Sequence, residues 1–467
     1  MPIVKKIKRI IVRVLARLPF SHQIYLLKRH GIKFFVYRGI VRRHERYSLE
    51  RMNAYQKAKL SKLIRHVYEK VPYYRGEFQK RNLTVNDIQD AEDLAKLPMI
   101  DKNFVKDHIE LFKADDFKRY HPVEQHTSGS TGRPFKFYVD NNIISFVDAL
   151  GWRRFNWAGY YYNDPFVIVR QPIGYRSRAV ETQKRYFYDP LTKMLETNTH
   201  LLNDDHGLSK AFDIIEQHDV SVLITYPSYM FYLSDFARRN NIKMSFKSVI
   251  SGAEKLYPQH REVMKEVFQA NVYDFFGMEE RLFYAAQCPK GNMHAFFDSG
   301  ILEIIKDGRP CRPQEVGEFV VTGLHNYSMP LMRYATGDYG CFLDKQCACG
   351  SRMPLIKVVG GGNKDLIVTR SGMRGISPSH AFLENESEKI KAFQIYQDNI
   401  DEVVLKIVKG IAYTQDDTVS LEEKYRDLLN NEARVKVVFV DKIEREASGK
   451  YRFVLSKVYK DKFKNLA

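Results

Sequence analysis

The chain has 467 residues, 44% of them hydrophobic and 28% charged, which is enough for two or more packed domains and too apolar for a disordered polymer. Lys and Arg number 74 against 56 Asp and Glu, and the resulting net charge of +18 favours anionic partners. No internal repeat or low-complexity tract is present, which excludes a solenoid; no zinc-finger, RNP or helix-turn-helix signature accompanies the charge, which disfavours nucleic acid as the partner.

Within the first twenty residues, Ile3, Ile7, Ile10, Ile11, Val14, Leu15 and Leu18 recur at helical spacing, with Lys5, Lys6, Lys8, Arg9, Arg13 and Arg17 between them. Arg13 and Arg17 interrupt the apolar run, so the segment reads as a basic amphipathic helix rather than a signal peptide or a spanning helix. Such a helix lies on an anionic leaflet or packs against its own protein, and the sequence leaves both open. Five cysteines without a leader segment point to a reducing cytoplasm, with a peripheral place on the inner membrane face as the second expectation. Nothing in the chain specifies an oligomeric state.

From Tyr47 to Phe117 the pattern is helical with Lys-rich outer faces, broken at Val71-Pro72 and Leu97-Pro98. Next comes Thr127-Ser128-Gly129-Ser130-Thr131-Gly132-Arg133-Pro134. Glycines keep this backbone uncluttered, so its N–H groups can converge on phosphate oxygens while the hydroxyls add donors. The lysine of a Walker loop is missing, because Arg133 follows Gly132, and an ordinary P-loop kinase is disfavoured.

Beyond the loop, Phe166–Val169, Val220–Ile224 and Ser248–Ile250 are short β-branched runs alternating with helical stretches, including Tyr229–Asn240 and Pro258–Gln269. That alternation predicts a mostly parallel sheet with helices on its faces. From about Gly300 the segments become β-rich, as in Ile301–Ile305 and Glu318–Thr322. After Gly360-Gly361-Gly362-Asn363-Lys364-Asp365, strands at Val403–Val408 and Val435–Val440 and a helix at Leu421–Asn431 suggest a separate C-terminal unit. The expected fold is therefore α/β: a basic N-terminal segment over 1–46, a large domain over 47–360 with mostly parallel sheets and a β-rich subdomain, and a small mobile α+β domain over 361–467.

The loop does not stand alone. Ser251-Gly252-Ala253-Glu254, Phe276-Gly277-Met278-Glu279-Glu280, Arg333-Tyr334-Ala335-Thr336-Gly337-Asp338 and Ser448-Gly449-Lys450-Tyr451-Arg452 follow in order. Together these segments, over roughly Leu60 to Leu455, resemble the adenylate-forming superfamily of acyl-CoA synthetases, aryl-acid ligases and peptide-synthetase adenylation domains. Two further stretches, His66–Arg75 and Asp93–Lys102, narrow the likeness to phenylacetate–CoA ligase and its CapK-like relatives in capsular-polysaccharide biosynthesis.

The resemblance implies an enzyme that joins a carboxylic acid to AMP with release of pyrophosphate, then passes the acyl group to CoA or to an amine or amino sugar. A carboxylate is a poor acyl donor, and the reaction demands positioning and charge neutralisation more than covalent help. By likeness, Thr127, Ser128, Gly129, Ser130, Thr131 and Gly132 grip the ATP phosphates, with Thr131 and Glu280 nearest a Mg²⁺ ion. Ser251, Gly252, Ala253 and Glu254, with Tyr273, Phe275, Phe276 and Gly277, border the adenine. Asp338, supported by Arg333, takes the ribose hydroxyls, Lys364 marks the hinge, and Lys450 is the lysine that the C-terminal domain delivers to the reacting carboxylate. Tyr226, Pro227, Ser228 and Tyr273 are candidates for the acid pocket, and their aromatic walls suggest an aryl, acyl or amino acid.

Two departures stand out. Gly362 occupies a position usually held by a ribose-binding arginine, for which Lys364 or Arg370 could substitute, and Glu279 replaces the usual hydroxyl before the metal-linked glutamate. They also frame the alternative of a nucleotide-binding or scaffold protein of a polysaccharide assembly system whose catalytic site has decayed. Cys288, His294, Cys347 and Cys349 form a candidate structural Zn²⁺ site. Three buried thiols beside an unrelated histidine is the competing reading, and Cys311 and Cys341 stand apart.

Overall fold

The computed structural model describes residues 21–127, 135–169, 186–197, 205–361, 366–370, 372–375, 389–444 and 454–458. Residues 1–20, the phosphate loop from Ser128 to Pro134, Gly362, Lys364 and Lys450 lie outside them.

Helix α1 (Ser21–His44) is broken at Gly31, whose φ of +69° takes it out of the helical region. Helix α2 (Leu49–Lys70) starts where the Ser48 hydroxyl accepts a hydrogen bond from Arg51 N, and it buries Met52, Leu60, Leu63, Ile64 and Val67 along one face. Pro72, expected as a breaker, ends α2 by opening α3 (Pro72–Lys80), where its missing N–H costs nothing. Asp101 caps the short helix α4 (Lys102–Asp107), its carboxylate accepting from Phe104 N. The hairpin strands β1 (Val123–Thr127) and β2 (Phe135–Val139) pair antiparallel, with Thr127 opposite Phe135, so the two ends of the phosphate loop are held side by side. Asp140 then caps α5 (Asn141–Trp157) through Asn142 N and Ile143 N.

The next strands are β3 (Phe166–Val169), β4 (Tyr186–Asp189), β5 (Met194–Thr197), β6 (Val222–Thr225), β7 (Ser248–Gly252), β8 (Val272–Gly277), β9 (Tyr284–Gln287) and β10 (Met293–Ala295). They continue with β11 (Gly300–Lys306), β12 (Arg309–Pro310), β13 (Gly317–Gly323), β14 (Tyr334–Leu343) and β15 (Leu355–Gly361). Among the described residues these thirteen strands form one sheet, in the order β12-β11-β13-β14-β15-β10-β9-β8-β7-β6-β3-β5-β4. Strands β5, β3, β6, β7 and β8 run parallel, and the pairing turns antiparallel at β8–β9 and stays so to β12. The β-rich subdomain is thus a continuation of the parallel sheet. Every residue of β6 and β7 is buried, as strands covered on both faces must be.

One face of the parallel half packs under α6 (Asp205–Gln217), α7 (Pro227–Arg239) and α8 (Pro258–Phe268) through Leu223, Val249, Leu233 and Met264. The other meets α1 and α5 through Ile224, Ile250, Phe34 and Leu150. Beyond β15 come β16 (Leu366–Thr369) and β17 (Gly372–Gly375), then β18 (Ile390–Asn399), β19 (Glu402–Lys409), α9 (Gln415–Leu428), β20 (Arg434–Phe439) and β21 (Val454–Ser456). Strands β20-β19-β18-β21 make a separate sheet whose core includes Phe393, Leu405 and Tyr425.

Candidate active site

The carboxyl ends of β6, β7 and β8 lie side by side, beside the point where the sheet changes from parallel to antiparallel. Ligands of open α/β sheets bind at such ends, because loops leave the sheet there in a cluster. Gly252 ends β7 against the Phe275 ring: a Cβ at this position would sit 2.2 Å from a ring carbon, so only glycine lets the ring lie on this backbone. The guanidinium of Arg154, on α5, stacks on Phe275 with its carbon 3.7 Å from the ring centroid. Alternation along β8 puts Tyr273 and Phe275 on the α5 side, whereas Phe276 packs among the residues of the subdomain core, edge-on to Phe319 at 5.6 Å. Ala253 follows with φ of +68°, turning the chain out of β7 towards Glu254.

A second group forms around the start of β14. Ile100 N donates to Arg333 O at 3.0 Å, and Ala335 N donates to Ile100 O at 2.8 Å, a parallel bridge that straps the 97–102 segment onto β14. Arg333, itself at φ +49°, donates from its guanidinium to Leu97 O at 2.7 Å and pairs with Glu303 at 3.0 Å. It was expected beside the nucleotide in support of Asp338; here its guanidinium is committed to Glu303 and Leu97, which fixes the strand that carries Asp338. The strap also reaches the strand that follows the phosphate loop, because α4, which follows the strap, packs against both β2 and β14. Lys102 of α4 lies 5.8 Å from the centroid of Phe135, the first described residue after that loop.

Four residues before Asp338, Tyr334 donates its hydroxyl to Glu280 Oε1 at 3.0 Å. Burial, then Glu280, and further Asp101 and Asp338, hold the Tyr334 hydroxyl protonated far above its ordinary range, so it remains a donor. Glu318 accepts from Gly337 N at 3.0 Å and sets the turn before Asp338. Glu280 is thus held by a fixed neutral donor, on which Asp101 and Asp338 also act electrostatically.

Cys288, His294, Cys347 and Cys349 bring their ligand atoms within 4.8 Å of one another. Cys288 Sγ lies 3.6 Å from Cys347 Sγ, and Cys349 Sγ lies 3.3 Å from His294 Nε2. Tetrahedral zinc with bonds of about 2.3 Å to sulfur and 2.0–2.1 Å to nitrogen requires ligand separations of roughly 3.5–3.8 Å. His294 Nδ1 bonds Met353 O at 2.9 Å, which turns Nε2 towards the thiols, and Asn292 donates to Cys347 Sγ at 3.2 Å. The pairing of β10 with β9 and β15 brings together the turns that carry these ligands.

Other sequence expectations are distributed differently. Tyr226 is fully buried on the α7–α8 face, the side of the sheet opposite Tyr273, so the two do not line one pocket. Pro227 opens α7, followed by Ser228. Arg370 pairs with Asp401 at 2.8 Å on the surface. Sequence reasoning missed Arg154, Tyr334 and Asp274. Arg154 is one of two adjacent arginines on a segment the sequence analysis passed over, and Tyr334 sat unremarked inside the motif that ends at Asp338. Asp274 lies between the two aromatics of β8, where burial pushes its carboxyl up to about 7 against the pull of Arg261.

Residues 368–457 match the family of the CapK C-terminal domain. Phenylacetate-coenzyme A ligase of Thermus thermophilus is 24% identical over 376 residues, covering 77% of this chain and 81% of that protein. Protein CapK of Staphylococcus aureus is 22% identical, over 86% of this chain and 89% of that one. The chain has the fold of the adenylate-forming ligases, and its sequence is similar to phenylacetate-coenzyme A ligase and to CapK. Among solved structures, 2-hydroxyisobutyryl-CoA ligase with an acyl-adenylate superposes at a TM-score of 0.70, with 16% identity over 91% of this chain and 93% of that one. Among the described residues, Ser251-Gly252 and Phe276-Gly277 close β7 and β8, and Tyr334 to Asp338 lie in the first half of β14.

Proposed function

We propose that the protein is an AMP-forming carboxylate ligase, which activates an organic acid with ATP and Mg²⁺ and then transfers the acyl group to CoA or to an amine or amino-sugar acceptor. The observation that carries this reading is the Ile100 strap, which draws the stem of the phosphate loop to the strand bearing Asp338 and to the Tyr334–Glu280 pair. Relatives named as phenylacetate-coenzyme A ligases support acid activation and favour CoA as acceptor. The likeness to CapK keeps the surface-polysaccharide acceptor in view.

In this mechanism the Asp338 carboxylate accepts hydrogen bonds from the ribose diol, and the glycine floor under Phe275 leaves a flat, apolar berth for the base. Glu280, oriented by Tyr334, would hold Mg²⁺, which would supply positive charge to offset that of the phosphates. The hydroxyls and backbone of Thr127 to Gly132 grip the phosphates. Lys450 is delivered by a C-terminal unit starting near Gly361, with Lys364 at the hinge, and neutralises charge growing between the carboxylate and the α-phosphate. The acid pocket is placed on the α5 side, between Tyr273, Phe275 and Arg154. Acid-dependent exchange of pyrophosphate into ATP tests the reading; a decayed nucleotide-binding scaffold would bind ATP without exchange.

The Cys288–His294–Cys347–Cys349 cluster is assigned to structural Zn²⁺, which would join the loop after Glu280 to the loop after β14. Metal analysis of protein purified without chelators should find about one zinc per chain, and Cys347→Ser should lower both that content and thermal stability. Metal-free protein of undiminished stability would remove the assignment. Among the described residues no helix is long and apolar enough to cross a membrane. Contact of residues 1–20 with the inner face of a membrane remains part of this proposal.

A further inference from the structure

Beyond the Gly31 break, the second half of α1 is a rod with two unlike faces. Phe34, Arg38, Val41 and His44 point inwards. Phe34 and Val41 pack with residues of α5, and Arg38 donates to Asn156 at 3.1 Å. Arg153 of α5 reaches back to Val41 O at 2.9 Å, so the rod is clamped and its orientation is fixed.

The opposite face is apolar at one end and cationic at the other. Ile32 and Val36 are 73% and 56% exposed, unusually high for large aliphatic side chains on a clamped helix. At 3.6 residues per turn, Ile32, Val36, Gly39 and Arg43 fall within a sector of about 60°. Arg42, Arg43 and Arg46 are exposed around its basic end. Arg42 acts electrostatically on the Glu45 carboxyl, whose ion pair is with Arg153, and all three guanidiniums stay exposed.

We propose that the outer face of residues 32–46 docks on an anionic phospholipid surface, with Ile32 and Val36 entering the acyl boundary and Arg42, Arg43 and Arg46 meeting the phosphates. Charge decides among the occupants. A second copy meeting this face about a two-fold axis would set arginines against arginines if the helices ran parallel, or against Ile32 and Val36 if they ran antiparallel, and neither pairing satisfies both ends. A nucleic acid would satisfy the arginines but leave Ile32 and Val36 in water, whereas a lipid interface satisfies both ends. This docking rests on side chains separate from residues 1–20 and does not depend on the ligase reading. It would hold one defined side of the large domain towards the membrane, beside the capping end of α5.

The test is flotation of the full-length protein with phosphatidylcholine vesicles, with and without phosphatidylglycerol. The wild type should float only with the anionic vesicles and should be released by salt. Each arginine near a charged surface is worth roughly fivefold in partitioning, so Arg42→Gln/Arg43→Gln/Arg46→Gln should weaken binding about 100-fold. Ile32→Asn/Val36→Asn should also lose flotation. Both sets alter only exposed side chains, and an unchanged melting curve shows that the fold is kept. Flotation of both variants as well as the wild type would overturn the proposal by assigning binding to residues 1–20. Equal flotation with neutral vesicles, displacement from vesicles by short RNA, or a wild-type dimer abolished by Ile32→Asn/Val36→Asn would each overturn it too.

Discussion

Asp298→Asn should destabilise the large domain by about 3–5 kcal/mol, the usual consequence of removing one partner from a buried charge pair. Asp298 and Arg153 are wholly buried and joined by a two-pronged contact, Nη1 to Oδ1 at 2.9 Å and Nη2 to Oδ2 at 2.6 Å. His44 Nδ1 lies 2.9 Å from Oδ2, and the Asp298 backbone carbonyl bonds His325 at 2.8 Å. This knot ties α1 and α5 to the loop before β11, beneath the proposed site. The asparagine variant keeps the shape and some hydrogen bonds but removes the wholly buried counter-charge of Arg153, leaving it only the partly exposed Glu45 at 3.4 Å. Replacing both partners, as in Arg153→Met/Asp298→Leu, should cost less than the sum of the single changes, because no wholly buried ion is left and Glu45, the other partner of Arg153, is partly exposed to water. The shift of the denaturant midpoint measures both effects. A loss below about 1 kcal/mol for Asp298→Asn would show that water reaches the knot. Arg153 and His44 hold the Asp298 carboxyl well below the usual carboxylate range, even though burial alone would raise it. A depressed carboxylate contributes its stability above the unfolded-state value of about 4 and loses it as the pH falls below that. The variant should therefore differ most from the wild type at neutral pH and least in acid.

Glu280→Gln should lower the rate of acid-dependent pyrophosphate exchange by roughly 10²-fold or more, the scale seen when one preorganised electrostatic contact is removed from an active site. Its amide oxygen can still accept from Tyr334, so the substitution removes charge while leaving the local contact in place. The Mg²⁺ concentration needed for half-maximal rate should rise, and the melting temperature should stay near that of the wild type. Tyr334→Phe, which frees the Glu280 carboxylate without removing it, should cost about 10-fold. Wild-type exchange by Glu280→Gln would take Glu280 out of the mechanism, and a collapse of stability would recast it as a core group.

Much of this arrangement was legible in the chain because it is local. β-branched runs between helical stretches marked β3, β6 and β7 within a residue or two, and the change of pattern near Gly300 coincides with the start of β11. Pro72 was read as an interruption and proved to be a helix start, since proline ends one helix and begins another with the same chemistry. Strand pairing was not legible, whether between neighbours or across the chain. Nothing in the sequence announces that β8 pairs with β9 and so joins both halves in one sheet, or that Ile100 bridges to Tyr334 across more than two hundred residues.

The same limit governed the site. Cys288, His294, Cys347 and Cys349 were grouped by residue type, and the fold brings them together. Tyr226 and Tyr273 were grouped by chain order, and the sheet separates them, because consecutive strand ends send side chains to either face. Arg333 was read as a nucleotide contact, yet its guanidinium holds Leu97 and Glu303, a role set by partners distant in sequence. Arg154 was missed for the converse reason: a helical arginine reads as a solvated charge until the sheet places an aromatic ring beneath it.

The central claim, that these segments enclose ATP so that an organic acid displaces pyrophosphate, is tested most directly by pyrophosphate exchange over a panel of aryl, acyl and amino acids. Wild-type protein with Mg²⁺ should exchange label into ATP with at least one acid and not without acid, and Lys450→Ala should be silent with that acid. Exchange that ignores the acid, persists in Lys450→Ala, or fails with every acid although ATP binds would contradict the account.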